Sequence, residues 1–389
     1  MQPIMTPRDC PLRRKGCGGC QYAEIPYPQQ LARKQAHARK LLAEWGPVEP
    51  VLGMEDPCRY RCKVTASFAE DGRRGLVCGL YAKGSRRVLP ADGCPLQDEL
   101  AEQAVHAVLQ AARECRYTVY DPMRRTGLVR HIQIRRGLYT GQLMVTLVTG
   151  PDILPGSRRF AARVRELCPD VTTLVQNINP RPTSMVLGDK CRTLFGPGFI
   201  EDTLCGLRFR ISPASFYQVN PRQTQRLYEL AIREAGLTGR ETVLDAYCGT
   251  GTIGLAAAGR AAQVLGVELN AAAVRDAQAN ARHNHIQNAR FVCADADEYM
   301  NRLAEEHAAP DVVFMDPPRS GSTPEFLAAL GKLAPSRVVY ISCDPSTQAR
   351  DIALLVREGY RMVRATPVDM FPYTEHLESV ALLVRTEKR

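Results

Sequence analysis

Apolar residues recur along this chain with two different periods, and the change between them divides it. From about residue 206, short apolar runs alternate with stretches at helical spacing: ETVLDAY then GLAAAGRAA, VLGVEL then AAAVRDAQANARHN, DVVFMD then PEFLAALGKL, RVVYIS then ARDIALLVREG. Such alternation predicts βαβ units around a parallel sheet, an α/β fold of the Rossmann kind. The last two runs, YRMVRATPVDMF and ESVALLVRTE, are joined by a short polar loop and are expected to complete the sheet. Between about 51 and 205 the period is two: KVTASFAED, RHIQIRRG and GQLMVTLVTG read as strands, with an amphipathic helix at AEQAVHAVLQAARE (101–114). That zone is an arginine-rich α+β unit. Residues 1–50 hold a cysteine cluster and a basic helical run, LARKQAHARKLLAEWG (31–46). Three units are therefore expected, over 1–50, 51–205 and 206–389, with no internal repeat or low-complexity tract.

The segment ETVLDAYCGTGTIG (241–254) is a strand, a glycine-rich turn and a helix start. Gly249, Gly251 and Gly254 would let the backbone approach a ligand and pack the helix on the strand. Such a loop suits a dinucleotide as well as S-adenosylmethionine. The next strand ends in Glu268, nineteen residues after Gly249, where a carboxylate can accept both hydroxyls of a ribose. FVCADADEY places Asp295 at a third strand end, near an adenine or its ribose. VVFMDPPRSG places Asp316 before two prolines at the fourth, which is foreign to dehydrogenases and suits methyltransferases acting on nucleobases. Polar strand ends in series put the ligand at the carboxyl edge of the sheet.

Composition narrows the partner. With 45% hydrophobic and 24% charged residues the chain is ordinary for a soluble protein, and its formal net charge of +10 favours a polyanion. The first residues, MQPIMTPRDC, lack the apolar core of a signal peptide, and no run approaches the roughly 20 apolar residues that span a bilayer. A cytoplasmic protein is expected, its 14 cysteines reduced and available for metal or catalysis.

Carbon 5 of uracil is a poor nucleophile. A thiolate added to carbon 6 turns it into an enolate-like carbon that can attack a methyl sulfonium, after which a base must remove the carbon 5 proton. Cys343, in YISCDPSTQARD (340–351), lies just past a predicted buried strand, on the same edge as the cofactor. A free cysteine is more often a small buried hydrophobe. Asp344 beside it disfavours the thiolate, so a donor or cation must compensate. Cys248 and Cys293 compete as nucleophiles but lie in the cofactor loops. In FPYTEHLESVALL (371–383), Glu375, His376 and Glu378 are candidate bases, and Glu378 opens the final strand.

Taken in order, SFYQVN (215–220), DAYCGTGTIG, MDPPRSG, SCDPSTQARD and FPYTEHLES resemble the uracil-5 RNA methyltransferase family over essentially the whole chain. The resemblance implies S-adenosylmethionine contacts at Gln218, Tyr247, Thr252, Glu268, Asp295 and Asp316, with Cys343 as nucleophile and Glu378 as base. Thr252 stands where some relatives have Asn, and Asp344 where many do.

Cys10, Cys17 and Cys20 are spaced C-x6-C-x2-C, and Cys58, Cys62, Cys78 or Cys94 could supply a fourth thiolate for zinc or an iron–sulfur cluster. The rRNA-modifying branch of the family resembles this pattern and carries a [4Fe–4S] cluster whose last ligand sits in a Gly-Cys-Pro-Leu-like segment. Here that is DGCPLQ (92–97), which gives Cys94. The tRNA-modifying branch lacks these cysteines, so 23S rRNA is the expected substrate. The spacing is not the C-x3-C-x2-C of radical enzymes, and the cluster is expected to lock the amino-terminal segment onto the middle unit. Many relatives begin with a small β-barrel RNA-binding domain (TRAM-type). Only nine residues precede Cys10, so that domain is expected to be missing. RNA grip would then fall to Arg33, Lys34, Arg39, Lys40, Arg130, Arg135 and Arg136. A monomer is expected. The competing readings are a tRNA uridine methyltransferase, a non-catalytic RNA-binding protein with a vestigial pocket, and a DNA cytosine-5 methyltransferase. The last would carry a Pro-Cys pair after the fourth strand, which MDPPRSG does not.

Overall fold

The computed structural model describes residues 6–90, 92–306 and 310–386. The amino-terminal segment holds a short helix, α1 (Pro11–Arg14), and a longer one, α2 (Tyr27–Leu42). The buried positions of α2 are Gln30, Lys34, Ala38 and Leu42, a strict four-residue row, while Arg33, Arg39 and Lys40 face solvent.

The middle unit is a seven-stranded sheet of β1 (Lys63–Asp71), β2 (Gly75–Tyr81), β3 (Val88–Pro90), β4 (Val129–Arg136), β5 (Leu143–Thr149), β6 (Val171–Ile178) and β7 (Lys190–Phe195). Its order is β3-β2-β1-β4-β5-β6-β7, antiparallel except for the β5–β6 pair. Helices α3 (Glu99–Glu114) and α4 (Ser157–Leu167) bury their apolar faces in a core with Val64, Phe68, Ile132, Ile134, Leu147 and Phe160. Asp98 caps α3 by accepting from the Ala101 amide at 3.2 Å. A separate hairpin, β8 (Ile200–Leu204) and β9 (Leu207–Ile211), spans the expected 205/206 boundary. Its Ile200, Leu204, Phe209 and Ile211 belong to the carboxyl-terminal core, so this hairpin is packed with the unit that follows it.

The rest alternates as the pattern predicts: α5 (Pro221–Ala235), β10 (Thr242–Ala246), α6 (Thr252–Ala258), β11 (Gln263–Glu268), α7 (Ala271–His283), β12 (Ala289–Cys293), α8 (Ala296–Glu305), β13 (Val312–Met315), α9 (Pro324–Leu333), β14 (Arg337–Ser342), α10 (Pro345–Arg357), β15 (Tyr360–Val368) and β16 (Glu378–Arg385). The strand order is β12-β11-β10-β13-β14-β16-β15, parallel as far as β14, with β16 antiparallel to both neighbours. This is the nucleotide-binding order, with the terminal strand pair closing one edge. Helices cover both faces, which is why VVFM of β13 is buried at every position.

Two features depart from the expected picture. The amino-terminal segment packs on the carboxyl-terminal sheet as well as on the middle unit: Val48 and Leu52 form parallel bridges to Ala365 and Val368 on edge strand β15. Leu42 enters the core beneath that sheet. The 369–377 loop, expected to be polar, has Asp369, Met370, Pro372, Tyr373, Thr374 and Leu377 buried. No described helix is long and apolar enough to cross a membrane.

Candidate active site

Strand register brings the chemistry together. Ala246 of β10 lies beside Val267 of β11 and Met315 of β13, so one step further Tyr247 is flanked by Glu268 and Asp316. Ser342 of β14 pairs with Ser379 of β16, and the next step sets Cys343 beside Glu378. Antiparallel partners sit about 4.5–5.5 Å apart at Cα. Five functional positions thus follow from register alone, all on the carboxyl edge of the parallel strands.

These residues line one cavity of about 550 Å³, together with Gln218, Thr252 and the Gly249 turn. Its size suits a small-molecule site. Gly251, at φ +78°, starts α6, and a Cβ there would stand 2.8 Å from the Phe291 ring. Tyr247 also holds a positive φ, +63°, an uncommon conformation for a bulky residue. Its hydroxyl pairs with Ser322 Oγ at 3.0 Å and its ring packs 5.3 Å from Phe326. Glu268 accepts from the Gly249 amide at 3.0 Å and the Asn270 amide at 2.8 Å, which fixes its carboxylate at the turn. Thr252 Oγ1 pairs with the Tyr228 hydroxyl at 3.0 Å. Asp295 is the exception among the expected contacts. It lies outside the cavity lining and caps α8, accepting from the Asp297 amide at 2.9 Å. Its charge still reaches Tyr247.

This edge of the sheet is acidic, with Glu378 buried and Asp316 and Cys343 half-buried. Burial pushes Asp316 up to about 7. Burial and then the neighbouring Asp316 push Glu378 up to about 8. The Cys343 thiol is raised by burial, then by Glu378 and Asp316, while Arg319 pulls it down. Asp344, expected to oppose the thiolate, is turned to the start of α10, where it accepts from the Ser346 amide at 2.9 Å. Arg319, three residues after Asp316 in DPPR, lines the same cavity and is a cation whose charge favours the thiolate form of Cys343. Of the other candidate bases, His376 lines the cavity and Glu375 is exposed outside it. Cys248 is buried and its thiol is raised strongly by burial, and Cys293 is exposed beyond the lining.

The loop carrying Glu378 is anchored from α2. Lys34 Nζ meets Asp369 Oδ1 at 2.6 Å and donates to the Phe371 carbonyl at 3.1 Å. The Tyr27 hydroxyl donates to Asp369 Oδ2 at 2.8 Å. Gln30 Oε1 accepts from the Tyr373 amide at 2.9 Å. These contacts bury the loop. They also correct the expectation that Lys34 grips RNA, because its side chain is 1% exposed. Arg130 and Arg135 are buried likewise, and the half-buried Arg136 is held in an ion pair. Arg130 donates to the carbonyls of Asn179, Arg181 and Thr183, Arg135 to the Ser215 carbonyl, and Arg136 pairs with Asp98. Buried cations require internal partners, and a period-two pattern gives no sign of which face an arginine takes.

Among the described residues, no three His, Cys, Asp or Glu side chains stand close enough together to hold a metal as placed. The four expected cysteines nevertheless gather. Cys10, Cys17 and Cys94 pack around Leu12, Ala82 and Leu89, and Cys20 and Cys94 around Leu96 and Tyr60. Burial and then Cys94, with Cys17 and Cys10 further, push Cys20 up to about 12. Cys78 sits in the middle-unit core, and Cys62 lies behind Gln218, whose carbonyl its thiol faces at 3.5 Å.

Residues 198–386 match the family model described as tRNA (Uracil-5-)-methyltransferase. An uncharacterized RNA methyltransferase of Halalkalibacterium halodurans is 41% identical over 386 residues, covering 98% of this chain and 84% of the relative. The chain belongs to the uracil-5 RNA methyltransferase family. A second relative, an uncharacterized RNA methyltransferase of Caldanaerobacter subterraneus, is 40% identical and covers 95% of this chain and 82% of its own. Among solved structures, the Pyrococcus abyssi tRNA (uracil-54, C5)-methyltransferase in complex with S-adenosyl-L-homocysteine superposes with a TM-score of 0.80. It is 28% identical and covers 95% of this chain and 86% of that one. The protein is accordingly an S-adenosylmethionine-dependent RNA (uracil-5-)-methyltransferase of mixed α/β fold.

Proposed function

We propose that this enzyme methylates carbon 5 of a uridine in ribosomal RNA, most specifically 23S rRNA, through a covalent adduct between Cys343 and carbon 6. The observation that carries the chemistry is the meeting of Cys343 and Glu378 across the β14–β16 ladder, in the cavity that also holds the glycine turn. Gln218, Tyr247, Thr252, Glu268 and Asp316 would hold S-adenosylmethionine, with Asp295 contributing through its charge near Tyr247. When bound, the cofactor supplies an electrophilic methyl sulfonium. Cys343 gives its proton to solvent and its sulfur bonds to carbon 6, while the ring π electrons move onto the carbonyl oxygen. Carbon 5 then takes the methyl group as the electrons return from the oxygen, and the sulfonium's S–CH3 bond would break to leave S-adenosylhomocysteine. Glu378 removes the remaining carbon 5 proton, the ring double bond re-forms, and the sulfur–carbon bond breaks to return the thiolate. Arg319 steadies the thiolate in a pocket that otherwise opposes it.

Cys10, Cys17, Cys20 and Cys94 fit a [4Fe–4S] cluster by donor chemistry. Beside them the Arg61 Nε is buried without a hydrogen-bond partner, a place where an anionic group would be favourable. Held there, the cluster would fix Tyr22, whose amide donates to the Tyr373 carbonyl at 3.1 Å in the loop leading to Glu378. Protein purified without air should carry iron and sulfide, and Cys94→Ser should lose them; zinc in their place contradicts the assignment. The cysteine set supports rRNA, whereas the name of the Pyrococcus abyssi neighbour supports a tRNA uridine. Mass spectrometry of both RNAs from cells with and without the protein decides which loses 5-methyluridine.

A further inference from the structure

We propose that Lys63 anchors a backbone phosphate of the RNA beside the uridine that enters the cavity. The inference rests on the methyltransferase reading above and adds a contact to it. Lys63 opens β1 and, among the described residues, is the one residue of the 51–205 unit in the cavity lining, which it shares with Cys343, Arg319 and Glu378. Among the described residues the ionisable groups that bear on it are Arg135, its register partner on β4, and Cys62, with no carboxylate. An ammonium left half-buried without an anion is costly, and burial followed by Arg135 lowers Lys63 to about 8. An arriving phosphate reverses that cost.

Its position is fixed by the fold. The Cys62 amide donates to the Val219 carbonyl at 2.9 Å, and Arg135 Nη2 to the Ser215 carbonyl at 2.5 Å. Strands β1 and β4 are thereby tied to the segment that bears Phe216, which is 65% exposed, and Gln218. Lys63 and Arg319 are the lysine and arginine side chains of the cavity lining, so a polyanion that brings a uridine into the cavity meets its cations there. Lys34, Arg130, Arg135 and Arg136 are all occupied internally, and Arg319 acts on Cys343. Arg33, Arg39 and Lys40 face solvent outside the cavity lining, whereas Lys63 lies within it, where a phosphate flanking the bound uridine would come.

The test uses full-length enzyme and the RNA fragment carrying the mapped uridine, made with either its natural phosphates or a neutral methylphosphonate on one flank of that uridine. Methylation of the natural fragment by the wild type, and its loss in Cys343→Ala, first establishes the underlying reading separately. Lys63→Met should then raise KM for RNA by about tenfold to a hundredfold, the range of a charge-assisted hydrogen bond, with kcat changed much less. Lys63→Arg should restore most of it. The methylphosphonate should weaken wild type by a similar factor at one flank and cost Lys63→Met little more. Equal methylphosphonate penalties in both enzymes, or unchanged RNA affinity in Lys63→Met, overturn the proposal. Loss of S-adenosylhomocysteine affinity in Lys63→Met, measured by calorimetry, overturns it as well, by assigning Lys63 to the cofactor's carboxylate.

Discussion

Replacing Lys34 with Met should damage the fold and not the RNA interface. The sequence places this lysine in a basic run, but its ammonium lies 2.6 Å from Asp369, with the two side chains 1% and 0% exposed. Removing one member of a buried ion pair strands the other charge and costs about 3–5 kcal/mol. Asp369 would keep only its bond from Tyr27. For a unit of 150–250 residues each kcal/mol moves Tm by about 2–4 °C, so Lys34→Met should lower the transition by roughly 6–20 °C. Neutralising both groups together, as Lys34→Met with Asp369→Asn, should recover part of that loss, because no charge is then left unpaired. Thermal unfolding and RNA affinity, measured on the same samples below the transition, separate the possibilities. A variant with unchanged Tm and weakened RNA binding would refute the buried-pair argument and return Lys34 to the RNA surface.

Two further outcomes follow from the acidity of the site. Glu378 keeps its proton to about pH 8 in the folded enzyme. Turnover limited by proton abstraction should therefore rise with pH up to that value. Over the same window the folded state binds more protons than the unfolded chain, so Glu378 makes stability fall as pH rises, and Glu378→Gln should flatten both profiles. Arg319→Gln should shift iodoacetamide labelling of Cys343 to higher pH, with Cys343→Ala as the blank, and lower activity at pH 7; an unmoved labelling profile would exclude Arg319 as the cation that steadies the thiolate.

Much of this was legible because sheet geometry and chemistry coincide. Strand ends announced by ETVLDAY, VLGVEL, VVFMD and RVVYIS place Tyr247, Glu268, Asp316 and Cys343 on one edge, and period and turn chemistry suffice for that. What stayed hidden depends on which way a side chain turns. Lys34 occupies the buried four-residue row of α2, readable from the spacing of Gln30, Ala38 and Leu42 but masked by its charge. Arg319 was visible in DPPR, yet nothing local says that it reaches Cys343. Lys63 is unmarked, because the bonds from Cys62 and Arg135 to Val219 and Ser215, distant in sequence, tie the start of β1 to the segment that lines the cavity. The polar letters of the 369–377 loop read as solvated, since the hydrogen bonds that bury it come from α2, more than 300 residues away.

Glu378→Gln tests most directly whether Cys343 attacks carbon 6 and Glu378 ends the cycle. The thiol can still add and the methyl group can still transfer, but the carbon 5 proton stays and elimination stalls. A general base of this kind contributes about 10²–10⁴ in rate. A methylated RNA–protein adduct should therefore accumulate on denaturing gels and vanish when Cys343→Ala is added to the same chain. Normal turnover by Glu378→Gln, with stalling in Glu375→Gln or His376→Gln instead, would contradict the assignment, and an adduct that survives Cys343→Ala would contradict the mechanism.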